Sequence, residues 1–476
     1  MLKHISSVPT KRELLLLVVL LASFIWFSSD FGIQRSLSAG LIPGLLVKQD
    51  VFHEELVAED WRTRLSWSSE SDVLPQTKVV LHTPGWTIFD NLYIMNGTVF
   101  VVTDRPETIP SREKLISTGI ELKNDPVSVA ARLPTNHEMR IISLEEGREL
   151  FGDTATLVDG VTWIVNDPPQ LIRHYYHWVA EVFFGFWRTY SSLDPSISTF
   201  GTSSLSAPRR IWFVRLNAGQ WRDKAHLNEW ILRSSFPSLT AEYSNDWTDR
   251  AELGRTFLLD RVLLSDRAAA MLGDNYRQTN RPASEAFSLT GSPHWWHPIT
   301  SNVMAFAGLD KGFISAPSAP PVITYISRQT TRGRTLIPDH HDWLVKELYE
   351  LRDKYGYEVN VVSMEKLSRE AQIRVAARTT IMMGVHGNGL TALLWMKQSS
   401  RTTVMEFFYP GGFTRDYQNT AYSLGMNYYG WWGNTSFTSE NLPHRAYPDG
   451  FQGNEIPIDG TAVAKACLEI LQAQNR

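Results

Sequence analysis

The stretch TTIMMGVHGNGLTALLWM, residues 379–396, decides the fold of this chain. Its apolar start, residues 380–383, leads into a turn with three glycines in six positions, and leucines at helical spacing follow. This pattern predicts a strand, a tight turn and a helix. Glycines allow a ligand to approach the backbone and helix starts attract anions, so the turn is a candidate phosphate site. Such turns also occur without ligands in α/β proteins, and this one is neither a Walker A loop nor GxGxxG.

The segments around this stretch alternate between strand and helix patterns. Strands are predicted at residues 322–328, 359–362 and 402–407, and helices at 343–355 and 370–378. This alternation is typical of a doubly wound parallel sheet, whose ligands bind beyond the carboxyl ends of the strands. We therefore predict a ligand-binding, Rossmann-like domain over residues 322–476.

The chain before this domain also combines strands and helices. Short strands, separated by turns at Pro84-Gly85, Asp90-Asn91 and Asn96-Gly97, are predicted within residues 78–103. A long aromatic-rich helix is predicted at residues 171–190, and more strands at 211–216 and 257–264. We expect a second α/β domain over residues 76–298, joined to the first by a linker over 299–321.

The N-terminal region has the pattern of a membrane anchor. Residues 14–29 are uncharged and mostly apolar, and basic residues precede them. The position of the positive charge predicts that residues 1–13 are a cytosolic tail, and that a stem over residues 30–75 and the rest of the chain are luminal. This describes a single-pass type II protein of the Golgi or endoplasmic reticulum membrane. A cleaved signal peptide is the alternative. Glycosylation acceptors at Asn96 and Asn434 fit a luminal chain.

The composition argues against a nucleic-acid partner. The net charge is −4, the pI is near 6.4, and no basic tail is present. The chain contains 17 Trp, 16 Tyr and 22 Phe. Aromatic side chains of this number serve sugar-binding and base-binding clefts as well as hydrophobic cores.

Polar residues on the aromatic-rich helix are candidates for catalysis. His174, His177 and Glu181 are spaced so that all three project from one helix face. An imidazole oriented by a carboxylate one turn away can act as a general base. A metal site is a second interpretation, although no HExxH pattern is present. A buried histidine with a structural role is the third.

Other charged residues follow predicted strands of the C-terminal domain. Ser327 and Arg328 end its first strand, and Arg332 and Arg334 follow in the loop. Guanidinium groups beside the glycine-rich turn can bind a diphosphate, although strand-end arginines also pair with carboxylates. Glu406 ends a later strand, where a carboxylate can accept from ribose hydroxyls or form an ion pair or helix cap. No Asp-x-Asp pattern follows a strand here, so we expect arginine and backbone N–H groups to neutralise a nucleotide without a metal.

Several of these segments together resemble glycosyltransferase family 61, which includes EGF-domain O-GlcNAc transferases, plant β1,2-xylosyltransferases and many fungal proteins. The similar segments, in order, are HYYHWVAE at 174–181, ISR at 326–328, GVHGNGLT at 384–391, VME at 404–406 and LGMNY at 424–428. Motifs in the same order over this length are more specific than any one alone. Two positions depart from the family pattern, because His174 replaces an asparagine and Asn388 replaces an alanine.

The resemblance implies a GT-B-like fold, with two Rossmann-type domains facing a cleft, and an inverting glycosyltransferase. The enzyme would transfer GlcNAc or xylose from a UDP-sugar to a hydroxyl of a glycan or glycoprotein, with no essential cofactor or metal. Catalysis would fall to His177 and Glu181, and which of them is the base stays open. The implied nucleotide-sugar site comprises Ser327, Arg328, Gly384, His386, Gly387, Asn388, Gly389, Leu390, Thr391 and Glu406. An inactive sugar-binding or nucleotide-binding protein on the same fold is the alternative.

Overall fold

Two β-sheets form the framework of the part of the chain that the computed structural model describes, which is residues 74–152, 155–310, 312–313 and 320–473. The predicted cytosolic tail, the membrane anchor at residues 14–29 and almost all of the stem lie outside these ranges. Within them, no helix has both the length and the hydropathy that a membrane span requires.

The first sheet contains eight strands and is mixed. Its strands are β1 (Lys78–Thr83), β2 (Trp86–Met95), β3 (Thr98–Val102), β4 (Met139–Ile142), β5 (Thr156–Val165), β6 (Arg210–Phe213), β7 (Thr240–Glu242) and β8 (Phe257–Ser265). Their order is β4-β3-β2-β8-β5-β6-β7, with β1 also paired to β2. The run from β8 through β5 and β6 to β7 is parallel, whereas β2 is antiparallel to β1, β3 and β8.

The second sheet contains six strands, of which five are parallel. Its strands are β9 (Val322–Ile326), β10 (Glu358–Val362), β11 (Ile381–Val385), β12 (Thr403–Phe407), β13 (Asn427–Trp432) and β14 (Thr435–Thr438), in the order β10-β9-β11-β12-β13-β14. Only β14 runs antiparallel to its neighbour. The chain leaves β9 in one direction towards β10 and then crosses to β11 on the other side. The adjacent ends of β9 and β11 therefore form the switch point at which open α/β sheets bind ligands.

Helices connect the strands. Among the described residues, α-helices cover Arg112–Leu115, Pro126–Ala131, Leu144–Phe151, Phe184–Ser191, Leu227–Ser235, Ser244–Glu252, Arg267–Ala270, Asp274–Thr279, His297–Phe306, Pro338–Tyr355, Arg369–Arg378, Asp416–Ser423 and Gly460–Gln472. The 3₁₀-helices are Pro106–Thr108, Pro282–Ser288, Met364–Lys366 and Asn388–Trp395. His177–Phe183 forms a π-helix that continues directly into Phe184–Ser191.

Three local predictions differ from the structure. The helix predicted over residues 171–190 starts later, because the chain turns at Leu171, which has a φ of 68°. The helix predicted after the glycine-rich turn is the 3₁₀-helix Asn388–Trp395 rather than an α-helix. No turn breaks the chain at Asp90-Asn91, because Asn91 adopts a φ of 57° within β2, a conformation that asparagine tolerates.

The core is shared between the two sheets. One buried cluster contains Trp163 and Phe183 from the first half of the chain together with Met382 and Trp395 from the second. The indole of Trp395 donates to the hydroxyl of Tyr175 over 2.8 Å, which ties the aromatic helix to the second sheet. The opposite face of each sheet is covered by a separate cluster from its own half. The boundaries predicted for two domains stay a prediction.

Candidate functional site

The glycine-rich turn lies at the switch point of the second sheet. A Cβ on Gly384 would lie 3.0 Å from the carbonyl oxygen of Ile326, so glycine allows β11 to approach β9 closely. A Cβ on Gly387 would lie 2.7 Å from Nη1 of Arg328. The guanidinium of Arg328 therefore rests against the bare backbone of the turn, an arrangement that suits a phosphate.

Two arginines at this turn form no ion pair with a carboxylate of the described residues. Nε of Arg328 donates to the carbonyl of Arg334 over 3.1 Å, and the guanidinium of Arg334 lies 5.9 Å from the ring centre of Phe451. Burial lowers the pKa of Arg334, and the nearby positive charge of Arg328 lowers it further. In the described ranges neither side chain forms an ion pair with an acidic residue. Glu406 and Asp416 act on Arg334 from beyond ion-pair distance and raise its pKa in part. Two adjacent cations without a direct ion pair in these ranges favour the binding of an anion.

His386, in the turn itself, is held by a buried carboxylate. Its Nδ1 contacts Oε1 of Glu406, and the other oxygen of Glu406 accepts from the hydroxyl of Tyr428 over 2.6 Å. Glu406 is 0% exposed, and this burial raises its pKa despite the two partners. The geometry favours the ion-pair interpretation of Glu406, because contact with a ribose would require it to leave both partners. His386 keeps its Nε2 for a ligand.

The remaining predicted ligand residues mostly support the turn. Ser327, Leu390 and Thr391 are buried. A Cβ on Gly389 would lie 2.9 Å from a methyl group of Ile326, so this glycine also serves close packing. Asn388 differs from them, because its side-chain oxygen accepts the backbone N–H of Tyr176 over 3.2 Å. The residue that departs from the family pattern thus connects the turn to the aromatic helix.

His177 and Glu181 form the pair that the sequence predicts. Nδ1 of His177 lies 2.8 Å from Oε2 of Glu181. Burial opposes ionisation of Glu181, but His177, Arg281 and Arg267 outweigh it and lower its pKa to about 2. An ionised carboxylate only accepts hydrogen bonds, so Nδ1 carries the hydrogen and Nε2 holds the lone pair of the neutral ring. This arrangement suits a general base.

His174 lies beside this pair, at the start of the helix. Its carbonyl accepts the N–H of Trp178 over 3.0 Å, so it lies at the first turn of the helix. Its ring centre is 5.3 Å from that of His177. The metal interpretation finds no support in the described part of the chain, where no group of three His, Cys, Asp or Glu side chains is placed to hold an ion.

Two charged residues that sequence reasoning missed complete the site. Nη1 of Arg281 lies 3.3 Å from Oε1 of Glu181 and 2.9 Å from Oδ1 of Asp416. Arg281 also donates to the hydroxyl of Thr414 over 3.1 Å. Arg281 lies 100 residues from Glu181 in the chain, and no local pattern marks it. Only the fold could reveal this cluster.

The structure brings the predicted base pair and the predicted phosphate turn together. Besides the bond between Asn388 and Tyr176, the rings of Tyr176 and Tyr417 meet edge to face at 5.2 Å. The hydroxyl of Tyr176 donates to the backbone carbonyl of Asp416 over 3.0 Å. The aromatic helix therefore lies directly against the ligand edge of the second sheet.

Both predicted glycosylation acceptors lie in exposed hairpin turns. Asn96 connects β2 to β3, and Asn434 connects β13 to β14. Asn96 has a φ of 52° and Gly97 a φ of 77°, as a tight two-residue turn requires. Their modification stays a prediction.

These features define a class of protein. An α/β fold with an anion site at a sheet switch point, beside a histidine–carboxylate pair, is typical of enzymes that transfer a group from a phosphate-linked donor. The family model described as Glycosyltransferase 61 matches residues 175–405, and this match supports membership of the chain in that family. The matched residues run from the first turn of the aromatic helix to β12. No curated protein matches the sequence significantly.

Proposed function

We propose that this protein is an inverting glycosyltransferase that uses a UDP-sugar, with GlcNAc or xylose as the sugar, and a hydroxyl of a glycan or glycoprotein as the acceptor. The observation that carries the proposal is the pair of arginines Arg328 and Arg334 beside the bare backbone of Gly387, neither of which forms an ion pair within the part of the chain that the structure describes. Their charge suits a diphosphate, and the histidine–carboxylate pair lies on the helix that is bonded to the glycine-rich turn.

The residues suggest a direct displacement. Nε2 of His177 takes the proton of the acceptor hydroxyl while the oxygen forms a bond to the anomeric carbon of the donor. The bond between that carbon and the diphosphate oxygen breaks, and attack from the opposite side inverts the carbon. Arg328, Arg334 and His386 stabilise the charge that develops on the leaving diphosphate. We expect these side chains to replace a metal ion in that task.

We also propose a fold and a membrane orientation for the chain. We propose that the two sheets form a GT-B-like pair of Rossmann-type halves, with the donor on the second sheet and the acceptor against the aromatic helix. We further propose that residues 14–29 anchor the chain in the Golgi or endoplasmic reticulum membrane with the catalytic region in the lumen. The uncharged run and the exposed sequon asparagines support this placement.

A ligand panel tests the proposal. Thermal unfolding of the purified chain would be followed with UDP, GDP, CMP and their common sugars, each with and without EDTA. We expect one UDP-sugar to raise the midpoint, in the presence of EDTA as well, and to release UDP slowly on incubation. Binding without UDP release, with or without candidate acceptors, would support the inactive binding protein. No shift with any uridine nucleotide would refute the donor assignment.

A further inference from the structure

Arg281 is a buried cation held between carboxylates from the two halves of the chain. It lies between the helices Asp274–Thr279 and Pro282–Ser288 and is 7% exposed. One partner, Glu181, belongs to the π-helix of the first half. The other partner, Asp416, starts a helix after β12 and lies outside the residues that match the family model.

The balance of charge around Arg281 depends on both contacts. Burial alone would raise the pKa of Asp416, but Arg281, His386 and Thr414 together outweigh it, so the pKa is lowered. Glu181 has His177 as its closest other partner, and Nη1 of Arg267 lies 3.8 Å away. Without Arg281, two buried carboxylates would face each other across the halves with less positive charge between them. Breaking a buried ion pair in this way is costly because the remaining charge stays unpaired.

We propose that Arg281 is a positioning residue that holds Glu181 ionised and in place, so that Glu181 keeps the hydrogen of His177 on Nδ1. Through Asp416 and Thr414 the same guanidinium connects the base to the loop after β12, in the half that carries the phosphate turn. Arg281 needs no contact with substrate in this role. The effect on turnover rests on the proposed function, whereas the effect on the tautomer of His177 does not.

The tautomer is measured directly in the full chain labelled with ¹⁵N-histidine. Long-range ¹H–¹⁵N spectra distinguish the two ring nitrogens, and the signals of His177 are assigned by their loss in His177→Gln. We expect hydrogen on Nδ1 in the wild type and in Arg281→Lys, and a mixture of tautomers in Arg281→Gln. An unchanged His177 signal in folded Arg281→Gln would overturn the proposal.

Two further variants support the test with Arg281→Gln in case that variant is poorly folded. The double variant Arg281→Gln/Asp416→Asn removes the guanidinium together with one of the carboxylates that it would leave unpaired, and it should show the same mixed tautomer. Arg188→Lys is the matched control, because Arg188 is a buried arginine that bonds Ser192 and the carbonyl of Leu289 instead of the site. A changed His177 signal in Arg188→Lys would show that any buried arginine affects it, which would also overturn the proposal.

Turnover provides the second readout. Arg281→Gln, which disturbs the tautomer, should lower kcat for UDP release by about 10- to 100-fold, part of the usual contribution of a general base, whereas Arg281→Lys keeps the charge and the tautomer and should lose less. The dissociation constant for UDP should stay within about twofold of the wild type. A loss of UDP affinity with unchanged kcat would place Arg281 in the donor site and contradict the proposal. If the wild type binds no UDP-sugar, the proposed function fails, and the spectra still decide the role of Arg281.

Discussion

Replacement of Arg328 by alanine should separate nucleotide binding from stability. Its Nε donates to the carbonyl of Arg334, which leaves both Nη groups for a ligand. No carboxylate in the described part of the chain neutralises it, and the charge of Arg328 acts against that of Arg334. The side chain should therefore contribute little to the stability of the ligand-free protein and much to the free energy of anion binding.

The expected loss of UDP affinity follows from the hydrogen bonds that Arg328 can form with a diphosphate. Hydrogen bonds to charged groups contribute about 1.5–3 kcal/mol each, so loss of a forked contact to a diphosphate should cost about 3 kcal/mol, or about a 100-fold rise in the dissociation constant for UDP. The lost bond to the carbonyl of Arg334 and the relieved repulsion between the two cations act in opposite directions. The free energy of unfolding should therefore change by less than about 1 kcal/mol.

Isothermal titration with UDP and urea unfolding measure the two quantities. Arg328→Lys keeps the charge but lacks the planar fork, and its affinity for UDP should lie between the affinities of the wild type and Arg328→Ala. Arg332→Ala is the matched control, because Arg332 lies exposed in the same loop and should change UDP affinity less than about twofold. Affinity of Arg328→Ala within threefold of the wild type would refute the phosphate role. A large loss of stability would show that Arg328 is structural.

Three further predictions concern the rest of the site and the surface. Because the pKa of Glu181 is lowered to about 2 in the folded chain, its stabilising contribution is complete above its ordinary value of 4.5 and is lost as the pH falls towards 2. Urea unfolding of Glu181→Gln should therefore show lower stability at pH 7 and a weaker loss between pH 5 and 3, and equal slopes would contradict this. Asn388→Ala removes the hydrogen bond to the N–H of Tyr176 and should lower the free energy of unfolding by about 1 kcal/mol. Asn388→Asp keeps an acceptor and is the control. Equal urea midpoints for Asn388→Ala and the wild type would count against the contact. In secretory expression, Asn96→Gln and Asn434→Gln should each remove one step of glycosidase-sensitive mass, and a wild type without any such mass would argue against a luminal chain.

The parallel sheet and its glycine-rich turn could be predicted because their signals are local. Alternating strand and helix periods mark β9 to β12, and the glycines of residues 384–389 mark the turn. The spacing of His177 and Glu181 likewise predicted a pair that the structure contains. Each of these signals lies within one short segment of the chain, no longer than a strand or about two turns of a helix.

The rest depended on contacts that no local pattern records. The pairing of Glu406 with Tyr428 requires β12 and β13 to be neighbours, and this pairing is why the carboxylate faces inwards. Arg281 enters the site only because β8 lies in the middle of the first sheet and directs the following chain towards the aromatic helix. The late start of that helix follows from the left-handed backbone of one residue, Leu171, which sequence periodicity does not reveal.

The shared core has a consequence for how such a protein can change over evolutionary time. Trp163 and Phe183 pack in the same cluster as Met382 and Trp395, so one face of each sheet is completed by the other half. A second half transplanted from a relative would meet an aromatic surface shaped for a different partner. Substitutions in the shared core of one half are therefore constrained by the packing of the other, and the two halves change as one unit.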